Sequence, residues 1–415
     1  MFSSINSTFY ILCILLLVLL IILLIYKMET SSPPYSLKGA YLNYASTNAR
    51  KHGSLNPSDL AYPQIIEQRS DIERIENTIR KLINAPPYAK VIINSGATES
   101  IANCVFWAKS YNKYGIIVGS EYDHSAVKDN CDTFEVPYEQ SLRGGKINDK
   151  CSMIFLTHVN SKTGELINIE NFKRNVVDRY SYQYTDGYNP YNSNVLQYKP
   201  LIVLDATQSI MKLPIDMERW GLNAVFFSLH KIGGPIGMGV LVVNDNKNAP
   251  FKPLISGKQQ HSLRGGTVPL QLLLENEFIF EKFDDFNERK QTWSEGLAKL
   301  KSEGLKVYEP KGPHLYNTYL IEVNTCPMSI INSLARKNIY VGNTSACKNE
   351  ETIDGDGEMN ESGDESIGGG NKKPFDRAIR ISFSKSKEIN DHILDEIISE
   401  IKNSNSEQSD ELSIE

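Results

Sequence analysis

The sequence predicts an α/β protein with a largely parallel sheet, followed by a smaller α+β unit. Two observations carry that prediction. Short apolar runs recur at 91–93, 115–118, 153–156, 201–204, 224–228 and 239–243, with helix-like segments between several of them. Beyond residue 271 the order changes: a long helical pattern over 272–303 leads to strand candidates at 317–323 and 378–383 and a last helix near 387–402.

In chain order, residues 9–26 come first. They form 18 uninterrupted apolar or aromatic residues, which as a helix reach about 27 Å, enough to cross a bilayer. A signal peptide or a buried helix is the other reading of such a run, but no Lys or Arg precedes it and Lys27 follows it. Residues 1–27 therefore read as a membrane anchor. Lys27 and Lys38 lie after the span, which places the C-terminal bulk on the cytosolic side. Residues 28–39, with Ser31, Ser32, Pro33 and Pro34, read as a linker. A large domain follows over 40–270, opened by Ile72, Ile75, Ile79 and Leu82 at helical spacing. A small domain covers 271–402, and 403–415 is a polar tail expected to be disordered.

Two segments look inserted. Residues 180–198 hold six tyrosines among Asn, Gly and Pro and read as an exposed loop or a partner surface. Residues 350–371 hold eight acidic residues and no Lys or Arg. They read as a mobile acidic loop, since Met359 stands where a calcium loop starting at Asp354 needs glycine.

Composition excludes several classes. The formal charge of the 415-residue chain is −6, from 44 basic and 50 acidic residues, so nothing general draws it to nucleic acid. Six cysteines without C-x-x-C or clustered Cys/His spacing suit neither a disulfide scaffold nor a zinc site, and no metal is expected.

Three stretches carry chemistry. Lys231 follows the strand-like run 224–228 and precedes Gly233-Gly234-Pro235. It is either an ordinary strand-end lysine or a partly desolvated amine able to form a Schiff base. Asp205 ends the apolar run 201–204, where open α/β sheets bind ligands; it is either a helix N-cap or a partner for a protonated pyridine nitrogen. Asn94-Ser95-Gly96-Ala97-Thr98 joins a strand to a helix start, an arrangement that suits a phosphate.

Taken together and in order, these stretches resemble the class V aminotransferase family of fold-type I pyridoxal-phosphate enzymes, and within it the NifS/IscS-type cysteine desulfurases. The likeness runs over about residues 40–402. It rests on Y-L-N-Y-A-S-T at 41–47, N-S-G-A-T-E-S at 94–100, Y-D-H-S-A-V at 122–127 and H-V-N at 158–160. It continues with D-A-T-Q-S at 205–209, S-L-H-K-I-G-G-P at 228–235, L-R-G-G-T-V-P at 263–269, S-A-C at 345–347 and I-R-I-S at 379–382. Departures fall at Asn43, Ser161, Lys162, Lys348 and Lys385-Ser386.

The resemblance implies pyridoxal 5′-phosphate as cofactor and L-cysteine as substrate. Ala97, Thr98, Ser228 and His230 would hold the cofactor phosphate. Thr267 would reach the phosphate of a neighbouring subunit, which implies a homodimer. His124 would stack on the ring, Asn160 and Gln208 would bond its oxygen, and Asp205 would pair with its nitrogen. Lys231 would carry the cofactor, and Arg380, with Asn160, would bind substrate. Cys347, on the loop 343–371, would take the sulfur and pass it to an acceptor protein; read without the resemblance, it is a half-buried free thiol. Another class V activity, selenocysteine lyase or aminotransferase, and an inactive scaffold of the same fold are the alternatives.

Overall fold

The computed structural model describes residues 63–121, 123–134, 150–174, 200–244, 250–280, 286–343, 377–383 and 387–411. The anchor run 9–26, the linker and both insertions lie outside them. Among the described residues, no helix is long and apolar enough to cross a membrane.

The chain enters through α1 (Pro63–Leu82), whose Ile75 and Ile79, with Ile83 just beyond, fall on one buried stripe. Asn84, at φ 45°, turns the chain out of the helix, and the Ala85 N–H closes the end on the Arg80 carbonyl. The strands β1 (Lys90–Asn94), β2 (Ile116–Gly119), β3 (Thr133–Phe134), β4 (Cys151–Thr157), β5 (Leu201–Asp205), β6 (Ala224–Ser228) and β7 (Gly239–Val243) form one sheet in the order β1-β7-β6-β5-β4-β2-β3. Strand β7 runs against both its neighbours; every other adjacent pair is parallel. Helices α2 (Ala97–Tyr111), α3 (Ser125–Lys128) and α4 (Ile169–Phe172) lie between strands.

Both faces of the central strands are covered, which is why they read as unbroken apolar runs. One face carries Ile92, Phe155, Val203 and Phe226 beneath Trp107 of α2. The other carries Ile93, Leu156, Leu204 and Phe227 beneath Ile75 and Ile79 of α1.

A second sheet holds β8 (Val307–Tyr308), β9 (Thr318–Glu322), β10 (Gly342–Asn343) and β11 (Ala378–Ser382), antiparallel in the order β10-β11-β9-β8. Helices α6 (Phe286–Ser302), α7 (Pro327–Arg336) and α8 (Lys387–Glu411) cover it through Trp293, Leu300, Ile330, Leu334, Leu394 and Ile401.

Two expectations need correction. The helical pattern over 272–303 is broken: α5 (Leu270–Glu275) stops where the Asn276 side-chain amide donates to the Leu272 carbonyl (2.8 Å), and a tight 3-10 turn follows over Glu277–Phe280. The last helix runs nine residues beyond 402, into the expected tail. Its extension is tied down by Lys402 to Glu303 (2.7 Å) and by Asn405, whose side-chain oxygen accepts the Asn324 N–H (3.0 Å).

Candidate active site

Side chains alternate across a strand, so the residue two beyond a buried one shares its face. Asn94, Thr157, Asp205 and Ser228 each stand two residues beyond Ile92, Phe155, Val203 and Phe226. All four are the last residues of their strands and all are buried. The sheet thus lines up four polar groups on one face at its carboxyl edge, where α/β sheets bind ligands.

The cup forms at the turn from β1 into α2. The Asn94 side chain donates to Ser100 Oγ (2.7 Å) and its oxygen accepts the Gly96 N–H (3.1 Å). Ser228 Oγ accepts the Ala97 N–H (2.9 Å), which ties β6 to the helix start. Gly96 has φ 150°, a conformation that favours glycine, and a Cβ on Gly239 would stand 2.5 Å from the Gly96 Cα. Strand β7 and the turn therefore meet backbone to backbone. The turn opens a 15-residue helix whose first N–H groups and dipole favour an anion. Thr98 is exposed beside it.

Asp205 sits opposite Thr157 in the β4–β5 register, and its carboxylate accepts the Thr207 N–H (2.8 Å). Burial pushes its pKa up, against the pull of Thr207 and of a charged His124. Thr207 Oγ1 is buried beside that carboxylate. His124 caps α3: its Nδ1 accepts the Ala126 N–H (3.2 Å), so the proton of a neutral ring belongs on Nε2. Asp123, absent from the residues singled out in sequence, precedes His124 and is buried. It accepts from Thr157 Oγ1 (2.6 Å) and the Ser120 N–H (2.7 Å), and burial raises its pKa to about 6. Its only signal in sequence is an acid directly before His124.

Asn160 is buried, and its side-chain oxygen accepts the Lys162 and Thr163 N–H groups, so any bond it gives a ligand comes from Nδ2. Gln208 is half-buried in the turn after Ala206. His230 and Lys231 sit in the 3-10 turn Leu229–Ile232, which Gly233 ends at φ 89°. Burial, then the Lys231 charge, lowers the His230 pKa. Lys231 is exposed at a strand end that opens into a glycine turn, so the chain's own described residues do not supply the desolvation that one of its two readings calls for. Thr267 is exposed on the loop before α5. Arg380, on β11, reaches the turn after β4, donating to the Ser161 carbonyl (3.1 Å). Cys347 lies outside the described residues.

The residues present fit pyridoxal phosphate. A helix start with close-packed glycines suits its phosphate, and a buried carboxylate without a basic ion-pair partner among the described residues suits a protonated ring nitrogen.

Comparison with known proteins agrees. The class V aminotransferase family model matches residues 64–268. The cysteine desulfurase IscS of Salmonella paratyphi C (strain RKS4594) is 28% identical over 308 residues, covering 68% of this chain and 70% of its own. Among solved structures, a NifS-like protein has a TM-score of 0.64 at 21% identity, over 83% of this chain and 90% of its own. A NifS-like protein from Rickettsia africae ESF-5 has a TM-score of 0.61 at 19% identity, over 84% and 92%.

Proposed function

We propose that the chain is a class V aminotransferase-family enzyme of NifS/IscS type, a pyridoxal-phosphate-dependent cysteine desulfurase, a reading supported by the family match over residues 64–268 and by the likeness to the cysteine desulfurase IscS. The observation that carries this reading is the row of buried strand-end groups Thr157, Asp205 and Ser228 on one face, beside the Lys231 turn.

When bound, pyridoxal phosphate supplies an electron sink for charge left at the α-carbon of an amino acid. The chain's residues do the rest. Ala97, Thr98, Ser228 and His230 hold the phosphate, and Thr267 serves the phosphate of a second copy. Asp205, shielded from water, keeps the ring-nitrogen proton in place; Asn160 Nδ2 and Gln208 hold the ring oxygen, and His124 the ring face. Arg380 binds the carboxylate of L-cysteine through its planar fork of N–H groups. Lys231 Nζ takes the α-proton and returns it. The Cys347 thiolate bonds the substrate sulfur; the C–S bond breaks, its electron pair stays with carbon and is protonated there. Alanine leaves, and a persulfide remains on Cys347 for an acceptor protein.

Two further parts belong to this reading. Exposed apolar side chains Ile236, Leu254, Ile255, Leu272 and Phe278 come from the segments around Lys231 and Thr267, and a second copy of the chain covers them in a homodimer. Residues 9–26 anchor the chain in a membrane with the enzyme on the cytosolic side, a reading supported by the unbroken apolar run and by Lys27 and Lys38 after it.

The test incubates purified residues 28–415 with L-cysteine and a thiol reductant. Alanine and sulfide should appear in equal amounts. Cys347→Ser should keep the cofactor absorbance and lose the sulfur adduct seen by mass spectrometry. An adduct on another cysteine, or normal alanine formation by Cys347→Ser, rejects the Cys347 assignment. Bound cofactor with no turnover favours the scaffold, and turnover of selenocysteine alone favours the lyase.

A further inference from the structure

The loop over residues 256–267 is held by contacts that span the sequence. Strand β1 is an edge of the large sheet, and the Gln260 side chain pairs with that edge as a neighbouring strand would. Its oxygen accepts the Ile93 N–H (2.7 Å) and its Nε2 donates to the Ile93 carbonyl (2.9 Å). Arg264 grips Glu99 at two points, Nε to Oε1 (2.8 Å) and Nη2 to Oε2 (3.2 Å), with 18% and 11% of the two side chains exposed. Glu99 Oε2 also accepts the Ser95 N–H (2.9 Å) at the cup. Burial works against the Glu99 carboxylate, but the Arg264 and Ser95 bonds outweigh it and leave its pKa below the usual glutamate value.

Inside the loop the backbone is strained. Gln260, His261 and Ser262 stand at φ 46°, 60° and 63°, three successive left-handed residues without a glycine. Such a run persists only where its surroundings over-determine it. The two limbs cross at closest approach: a Cβ on Gly265 would lie 2.2 Å from the Ser256 carbonyl oxygen, and the Gly265 N–H donates to the Ile255 carbonyl (2.7 Å). Thr267 follows, exposed. A surface connection with no task has no need of a half-buried two-point ion pair, an amide clamp and a strained turn.

Resting on the reading that Thr267 serves a second copy, we propose that Arg264, Glu99 and Gln260 are positioning residues. They hold 256–267 as a preformed arm that presents Thr267 to the neighbouring subunit's cofactor phosphate. Through Glu99, the same pair joins the arm to the phosphate cup of its own subunit.

Hybrid dimers of full-length protein test this without turnover. One copy carries Lys231→Ala, so that only the other keeps cofactor covalently, and the readout is cofactor retained on dialysis, followed by absorbance. With Arg264→Gln in the Lys231→Ala copy, the surviving site belongs to the neighbour, and retention there should weaken by about tenfold or more, the scale of a charged hydrogen bond lost. With Arg264→Gln in the Lys231-bearing copy, where it can act only through Glu99 on that copy's own cup, retention should fall clearly less than in the first arrangement. Gln260→Ala, which does not touch Glu99, should give the same pattern, and Arg264→Lys should recover part of the loss. A loss that follows the copy carrying the lesion, an equal loss in both arrangements, or no change in either overturns the proposal. A wild-type protein that binds no cofactor overturns the functional reading itself, a separate result visible before any variant is made.

Discussion

The carboxyl edge of the seven-stranded sheet and the four-stranded sheet treat polar groups in opposite ways. The large sheet buries Asn94, Asp123, Thr157, Asp205 and Ser228 near one edge, and each has hydrogen-bond partners. The small sheet is packed almost wholly by apolar side chains, with Tyr319, Ile321, Ile379 and Ile381 under three helices. Its contribution to chemistry among the described residues is Arg380, which leaves β11 to reach Ser161 on the other unit. Burying a polar group costs stability unless it is bonded, so a dense, satisfied polar row is what a pre-organised site looks like. The small sheet needs no such row if it only brings a substrate clamp to that edge.

The sharpest break of this contrast is Lys231→Ala. Alanine formation from L-cysteine should fall by roughly a thousandfold or more, since a positioned proton carrier is lost. Circular dichroism should be unchanged, because an exposed side chain is removed. Substantial turnover by this variant would move the catalytic amine elsewhere. Next comes Gly239→Ala. Its methyl would meet the Gly96 backbone at 2.5 Å, so β7 and the cup must part, at a cost of about 1–3 kcal/mol. Urea unfolding should show that loss, along with weaker cofactor binding. An unchanged midpoint would mean that the cup yields easily.

Arg380→Lys probes the small sheet's share. It keeps the charge and loses the two-point fork, so KM for L-cysteine should rise by about tenfold while cofactor absorbance stays as in wild type. If cofactor is lost instead, Arg380 supports the cup and not the substrate.

How much of this was legible depended on how local each signal is. Strands β1, β2, β4, β5, β6 and β7 show as apolar runs because both their faces are buried. The two-residue strands β3, β8 and β10 carry no pattern of their own; pairing with another strand creates them. Asp205 could be found because a strand end is marked by where its apolar run stops, whereas Ser228 closes the run 224–228 and its role came only with the family resemblance. Asp123 could not, since its role comes from Thr157, 34 residues away. The Arg264–Glu99 pair spans 165 residues and has no local trace. Whether Lys231 is exposed stays open in sequence, because burial of a strand says nothing about the turn that follows it.

The smallest effect expected is a cancellation in the polar edge itself. Asp123 and His158 sit near the strand ends on opposite faces of the sheet, His158 against Trp220 with ring centroids 5.3 Å apart. Burial raises the Asp123 pKa from 3.8 to about 6, so its contribution to stability is full below 3.8 and is lost as pH rises through about 6. Burial lowers the His158 pKa from 6.5 to about 4, so its contribution is full above 6.5 and is lost as pH falls through about 4. Between about 4 and 6 the native state thus binds nearly one extra proton at Asp123 and lacks nearly one at His158, and the two slopes oppose. In cofactor-free protein, His158→Phe should leave stability falling as pH rises across this window, and Asp123→Asn should leave it falling as pH drops. Each slope should be about 1 kcal/mol per pH unit, against a shallower wild-type dependence, in urea unfolding at pH 4.5, 5.25 and 6. If both variants slope in the same direction, at least one of these groups titrates normally in the folded chain, and the polar edge is wetter than its burial implies.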